Sequence, residues 1–256
     1  MGKVVAISNQ KGGVGKTTTA VNLAASLAVA EKRVLLIDVD PQGNATSGVG
    51  ATRNRELSLY PVLFREASII ETCQGTELPF LDILPACRDL SGVEVELVDE
   101  DDRAVRLRDA IVPIRDRYDY IIIDCPPSLG ILTLNALVAA DFVLVPMQAE
   151  YYALEGLSDL VDTVERVRGA LNPPLRIDGV VLTMFDPRNN LSNQVAEELR
   201  KHFRVFESVI PRNIRLAEAP SYGRPAILYD ANSRGSHSYV NLAQEILDQH
   251  AKGSVA

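Results

Sequence analysis

The sequence predicts a doubly wound α/β fold: a mainly parallel sheet with helices on both faces. Two observations predict it. Apolar runs of strand length recur and read as continuous Val, Ile and Leu, not as apolar residues alternating with polar ones, which marks strands covered on both faces. Segments of helical pattern separate these runs, and strand–helix–strand repetition builds a parallel sheet. In chain order, strands are expected at Val4–Ser8, Val34–Asp38, Leu81–Pro85, Tyr120–Asp124, Phe142–Met147, Ile177–Met184 and Val205–Ile210. Helices are expected at Lys16–Ala30, Asp101–Arg117, Ile131–Ala140, Leu154–Ala170, Leu191–Phe203 and Ser238–Gln249. The least regular stretch is about residues 43–80, and the cluster Asp99-Glu100-Asp101-Asp102 reads as a solvated helix start, where acidic groups favour the dipole. With no linker, internal repeat or low-complexity tract, residues 1–256 are expected to form one domain.

At 46% hydrophobic residues over 256 positions, the chain can bury a large core. It contains no run of 18 or more apolar residues, so no membrane span is expected. Its start, Met1-Gly2-Lys3-Val4-Val5, lacks the features of a secretory signal. Cys73, Cys87 and Cys125 are odd in number and far apart, which suggests neither disulfides nor a zinc site and fits a reducing cytoplasm. His202, His237 and His250 are scattered and read as surface residues.

The net charge of -8 argues against nucleic acid as a partner only if charge is evenly spread. Residues 200–236 hold seven basic residues (Arg200, Lys201, Arg204, Arg212, Arg215, Arg224 and Arg234) against Glu207, Glu218 and Asp230. This local excess is either a solvated helix surface or a face for a phosphate backbone.

The first predicted strand runs into Lys11-Gly12-Gly13-Val14-Gly15-Lys16-Thr17-Thr18, followed by a helix. A diphosphate needs several backbone N–H donors converging on it, and Gly12, Gly13 and Gly15 clear their approach. The helix N-terminus adds partial positive charge. Lys16 is expected to reach the β- and γ-phosphates, Thr17 to place its hydroxyl on Mg²⁺, and Thr18 to reach the α-phosphate. The general P-loop pattern asks for glycine six residues before Lys16, where this chain has Gln10; what it carries is a deviant form with an added lysine, Lys11.

The second strand ends Ile37-Asp38-Val39-Asp40, and ligands collect at the C-terminal edge of parallel strands. Asp38 and Asp40, two apart, are expected to project from one side, Asp38 toward the Mg²⁺ shell and Asp40 orienting the attacking water. A capping or turn role is the alternative. Tyr120-Ile121-Ile122-Ile123-Asp124 is a second such end, the Walker B arrangement, and Asp124 is expected to hold Mg²⁺ through a water.

The deviant loop resembles that of the MinD/ParA group of P-loop ATPases. Gly43–Gly48, Asp124–Gly130, Glu150–Gly156, Ile210–Asn213 and Glu218–Gly223 extend the resemblance to the ParA/Soj branch, from about Lys3 to about Leu247. The resemblance implies an ATPase that is slow alone, with Lys11 crossing a dimer interface to the partner's nucleotide. It implies an ATP-driven homodimer that binds double-stranded DNA without sequence preference and is released when a ParB-like partner stimulates hydrolysis. It also implies adenine contacts near Pro211, Asn213 and Met184, and a cytoplasmic, nucleoid-associated protein. Within that frame Arg188, Arg200, Lys201, Arg204, Arg212, Arg215 and Arg224 become candidates for DNA phosphate contacts. The small size, with no N-terminal helix-turn-helix extension, resembles the chromosomal or small plasmid type.

Three other readings share features of the chain. A MinD-type membrane ATPase needs a terminal amphipathic helix, and the tail Gln249–Ala256 has one lysine and little apolar bulk. A redox ATPase resembling nitrogenase iron protein needs paired cluster cysteines, for which only Cys87 and Cys125 qualify. A filament former that hydrolyses nothing has no use for Asp40.

Overall fold

A computed structural model describes residues 1–150 and 153–252; Tyr151-Tyr152 of the Glu150–Gly156 motif and the last four residues of the predicted tail lie outside the described residues. Seven strands, β1 (Lys3–Ile7), β2 (Val34–Asp38), β3 (Gln74–Gly75), β4 (Leu81–Leu84), β5 (Tyr120–Asp124), β6 (Phe142–Gln148) and β7 (Arg176–Thr183), form one sheet in the order β3-β4-β2-β5-β1-β6-β7. All neighbours are parallel except the edge pair β3–β4. The helices are α1 (Lys16–Val29), α2 (Asn44–Gly48), α3 (Leu59–Leu63), α4 (Ile69–Thr72), α5 (Val93–Glu96), α6 (Arg106–Ile111), α7 (Ile131–Ala139), α8 (Ala153–Ala170), α9 (Asn190–His202), α10 (Ile214–Glu218), α11 (Ala226–Tyr229) and α12 (Arg234–Lys252).

The period of two along each strand divides the core. Val4, Ala6, Leu35, Ile37, Ile121 and Ile123 face a layer built on α3 and α5 to α9. Val5, Ile7, Val34, Leu36 and Ile122 face the opposite layer, built on α1 and α12. Both faces are covered, so the central strands carry no polar side until they reach the ligand edge. α1 is buried nearly all round, from Thr19 to Ala28, because it is wedged between the sheet and α12.

Register sets the site. Asp38 at the end of β2 lies directly opposite Asp124 at the end of β5, and Asp124 lies opposite Ile7 at the end of β1. Two carboxylates and the loop that leaves β1 therefore meet at one level of the sheet's C-terminal edge.

Four expectations need correction. Val205–Ile210 is not a strand; only Val205 and Ile210 touch β7, as isolated parallel bridges to Val180 and Thr183. Between them the Glu207 and Ser208 amides donate to the Glu245 carboxylate on α12 instead of to a ladder. The helix expected over Asp101–Arg117 begins at Arg106 and tightens into a 3₁₀ helix at Val112–Arg117, where Pro113 cannot donate. The acidic cluster before it is solvated only in part: Asp99, Glu100 and Asp101 are exposed, but Glu100 and Asp102 hold the Arg106 guanidinium, which is only 7% exposed and also donates to the Leu63 carbonyl. His250 is buried, stacked on Phe142 with its Nδ1 3.1 Å from the Tyr120 hydroxyl, while His202 and His237 are exposed as expected.

Residues 43–80 are less irregular than expected, folding as α2, α3 and α4. Ser58 caps α3, and Ser68 with Glu71 forms a capping box on α4.

Candidate functional site

Between β1 and α1 the chain forms an open cradle. Asn9 fixes its start, with its Nδ2 donating to the Pro146 carbonyl on β6 at 2.8 Å and its Oδ1 accepting from the Lys11 amide at 3.0 Å. Gly13 and Gly15 take φ of 74° and 87°, the left-handed region that a side chain disfavours. No heavy atom lies within 4 Å of where a Cβ would sit on Gly12 or Gly13, so the mouth of the loop is clear. From the far side, the buried Thr183 hydroxyl at the end of β7 donates to the Val14 carbonyl at 2.7 Å. The Lys16 ammonium, 7% exposed, donates to the Lys11 carbonyl at 3.0 Å across the loop. Burial lowers its pKa, opposed chiefly by the negative charge of Asp124. Thr17 and Thr18 are half-buried on the first turn of α1.

The two strand-end aspartates are equally buried but differ in their partners. Asp38 Oδ2 accepts from both the amide and the hydroxyl of Thr46, each at 2.7 Å, and Asp38 Oδ1 accepts from the Asp40 amide at 3.2 Å. Neither oxygen of Asp124 has a hydrogen-bond partner among the described residues. Burial raises the pKa of both. For Asp38 the Thr46 bonds hold the rise to about 6. For Asp124 the charge of Asp38 pushes further upward, with the Thr17 hydroxyl and Lys16 pulling back. Asp40, 9% exposed, sits nearer the rim, its Oδ1 accepting from the Gln42 amide at 2.9 Å.

A buried carboxylate with no donor is costly unless a cation answers it. Asp124 beside the Thr17 hydroxyl fits a divalent ion that also takes phosphate oxygens and water. Among the described residues no group of three or more His, Cys, Asp or Glu is arranged to hold a metal by itself.

Beside the cradle opens a cavity of about 430 Å³, walled by Gly15, Thr18, Met184, Pro211, Asn213 and Leu216 among others. It brings together the three positions named for adenine. Met184 takes a φ of 49°, a strained backbone at the cavity wall. Asn213 uses its Oδ1 to cap α10, accepting from the Arg215 and Leu216 amides.

Lys11 stands outside the cradle. Its ammonium pairs with Glu150 at 2.6 Å, both side chains about half exposed. The basic candidates are spread more widely than their sequence window suggests. Arg188 pairs with Asp186, Lys201 with Glu198, Arg204 with Glu245, Arg215 with Glu218 and Asp230, and Arg224 with Glu77. Arg200 and Arg212 are exposed with no carboxylate within 4 Å among the described residues. Acidic residues from outside the window thus offset much of its local excess charge. Cys87 and Cys125 are both buried in the core, and burial pushes the Cys125 thiol well above its ordinary pKa, away from the thiolate that a cluster ligand must be. No helix among the described residues is long and apolar enough to cross a membrane.

The motif reading did not single out Asn9, Thr46 or Thr183. Thr46 lies inside the Gly43–Gly48 motif and Thr183 inside a predicted strand, but only the folded chain brings them to Asp38 and Val14.

Comparison with known proteins agrees with this geometry. A protein family described as an AAA domain matches residues 2–177. The chain is 57% identical over 250 residues to the chromosome partitioning protein ParA of Myxococcus xanthus, covering 96% of this chain and 88% of that one. It is 56% identical over 249 residues to the sporulation initiation inhibitor protein Soj of Bacillus subtilis, covering 96% and 98%. Among solved structures, cobyrinic acid a,c-diamide synthase from Mycobacterium smegmatis, with bound ATP analogue and magnesium, matches at a TM-score of 0.88 and 34% identity, covering 99% of this chain and 97% of that one.

Proposed function

The chain belongs to the ParA/Soj family of chromosome-partitioning P-loop ATPases, and from that premise we propose that it works as an ATP-gated switch on DNA. Binding of ATP brings two copies together as a sandwich, and the dimer holds double-stranded DNA through its phosphates on the nucleoid. Hydrolysis, slow until a ParB-like partner stimulates it, lets go. The observation that supports this best is the contrast between Asp124, wholly buried with both oxygens unpartnered, and Lys11, held out at the rim away from its own cradle.

The amides of Gly12, Gly13, Val14 and Gly15 bind the β-phosphate, Lys16 spans the β- and γ-phosphates, and Thr18 meets the α-phosphate. Met184, Pro211 and Asn213 hold adenine. Thr17, with Asp124 and Asp38 behind it, would hold Mg²⁺, which would supply neutralisation of phosphate charge. Asp40 orients a water whose oxygen bonds to the γ-phosphorus as the bond to ADP breaks. Lys11 of the neighbouring subunit adds positive charge where negative charge develops on the transferring group. Its release from Glu150 costs little, since an exposed ion pair contributes about 0–1 kcal/mol.

The same magnitude applies to the basic face. Carboxylates that hold Arg188, Lys201, Arg204, Arg215 and Arg224 yield readily to DNA phosphates, and dimerisation doubles the number of contacts. Arg200 and Arg212 need no exchange. The test is to measure mass and DNA retention with ATP, with ADP, and for Asp40→Ala with ATP. The proposal predicts a persistent DNA-bound dimer in the third case; a monomer there overturns the role given to Asp40.

A further inference from the structure

Two of the motifs quoted above, Gly43–Gly48 and Glu218–Gly223, meet in the folded chain. The stretch after Asp40 is stiff. Asp40 accepts from the Gly43 amide through its backbone oxygen, Thr46 is tied to Asp38, and the Ala51 amide returns to the Thr46 carbonyl. Arg53 donates back to the Gly43 carbonyl at 2.6 Å. This rigid piece carries Gly50 against Gly223, which ends the 3₁₀ turn Ala219–Tyr222. A Cβ on Gly50 would lie 2.9 Å from the Gly223 carbonyl oxygen, and one on Gly223 would lie 3.0 Å from the Gly50 Cα. Both residues take positive φ, 75° and 64°. Two backbones thus touch where neither residue tolerates a side chain.

The segment that ends at Gly223 begins at the other side of the nucleotide site. Pro211, Asn213 and Leu216 wall the 430 Å³ cavity, and α10 between the two contacts carries Arg215. Beyond Gly223, Arg224 reaches Glu77 in a two-pronged ion pair, both bonds 2.9 Å, and the Ala226 amide donates to Asn22 of α1. The segment is therefore pinned at its first end to the cavity and at its second end to the loop that follows Asp40.

We infer that the Gly50–Gly223 contact is a positioning device that transmits the state of the Asp40 loop to the arginine-bearing segment 211–224, so that DNA retention follows the nucleotide. It rests on the DNA-switch reading above. Neither glycine touches nucleotide or DNA in this account; they act through the elements they join. A rigid contact between backbones suits such a task, because a packed interface passes on a small shift where a flexible side chain would absorb it.

The experiment compares DNA retention with ATP and with ADP for the wild-type chain, Gly223→Ala and Arg53→Ala, alongside dimer mass with ATP and melting temperature. Arg53→Ala removes the bond to the Gly43 carbonyl and so loosens the Asp40 side of the same junction without adding a side chain at positive φ. Wild-type protein should hold DNA at least tenfold more tightly with ATP than with ADP. Gly223→Ala should still dimerise with ATP while that ratio falls toward one, and Arg53→Ala should lower it about threefold. If Gly223→Ala is unfolded, Arg53→Ala decides alone. Ratios unchanged in the folded variants, or loss of the ATP dimer together with DNA retention, overturn the relay. A wild-type chain that retains DNA equally with either nucleotide instead removes the switch reading beneath it.

Discussion

Thr183, Asp38 and Asp124 show how single side chains prepare the site. Thr183→Val keeps the shape of the β7 end and removes the bond to the Val14 carbonyl, leaving that buried oxygen short of a donor. The expected cost is about 1–2 kcal/mol of folding stability, read as a melting temperature lower by roughly 2–8 °C, with ATP affinity falling as the loop loses its support. Asp38 and Asp124 both have folded pKa values raised above the ordinary carboxylate range, Asp38 to about 6. A raised folded pKa means the native state binds the proton more tightly than the unfolded chain. Each group's favourable contribution is therefore present at low pH and is lost as pH climbs through the folded value. Stability of the nucleotide-free chain should rise between about pH 7 and pH 5 because of Asp38, until protonation of ion-paired carboxylates reverses the trend. Asp124→Asn removes the buried charge outright. It should raise the nucleotide-free melting temperature by about 4–8 °C at pH 7.5, corresponding to roughly 2 kcal/mol, while abolishing the gain that Mg²⁺ gives to ATP binding. A variant that melts lower than wild type would show that the Asp124 carboxylate is already compensated.

Among the elements, the parallel strands and long helices were readable from the chain because their signal is long. Val34–Asp38 and Tyr120–Asp124 fall on β2 and β5 residue for residue, and α1, α7 and α9 lie within a residue of expectation at each end. What misled was a contact outside the segment, a local proline, or a strand too short to carry a signal. The run Val205–Ile210 has strand composition, yet Glu245 on α12 takes the two amides a ladder would need. The cluster Asp99–Asp102 looks like solvated surface until Arg106 and Arg65 fold against it. β3 is two residues long and carries no periodicity. Glu245→Ala should leave the Glu207 and Ser208 amides without their acceptor and release Arg204, costing about 1–3 kcal/mol in urea unfolding, with the m-value unchanged. No loss would mean that another acceptor takes the amides. The candidate site was legible for the same reason as the strands. The loop, both strand-end aspartates and the adenine trio converge as the motifs imply, whereas Thr46 and Thr183 act through bonds that no spacing in the sequence reveals.

At the scale of the whole molecule, the proposed DNA switch requires a chain of net charge -8 to collect its positive charge on one face and present it conditionally. Five of the seven basic candidates pair with carboxylates, so on the proposed reading that face is weak in one copy and competent only when two act together. Arg215→Glu should therefore weaken DNA retention by the ATP dimer and lower the slope of affinity against salt, while ATP binding stays within about twofold of wild type, because the side chain is exposed on α10. Unchanged retention would take Arg215 off the DNA face.

The central claim is that the lysine at the rim serves the neighbour's nucleotide and not its own. Mixing tests it most directly. Lys11→Ala keeps a complete cradle but has no cation to lend, and Lys16→Ala keeps Lys11 but binds nucleotide poorly. Each alone should turn over ATP at no more than about a hundredth of the wild-type rate, by the cost of losing one stabilising cation. Combined, Lys16→Ala subunits should supply Lys11 to ATP held by Lys11→Ala subunits, and turnover should recover several-fold above the sum of the two. A mixture no more active than its separate parts, or a Lys11→Ala chain that dimerises and hydrolyses ATP unaided, would contradict the account.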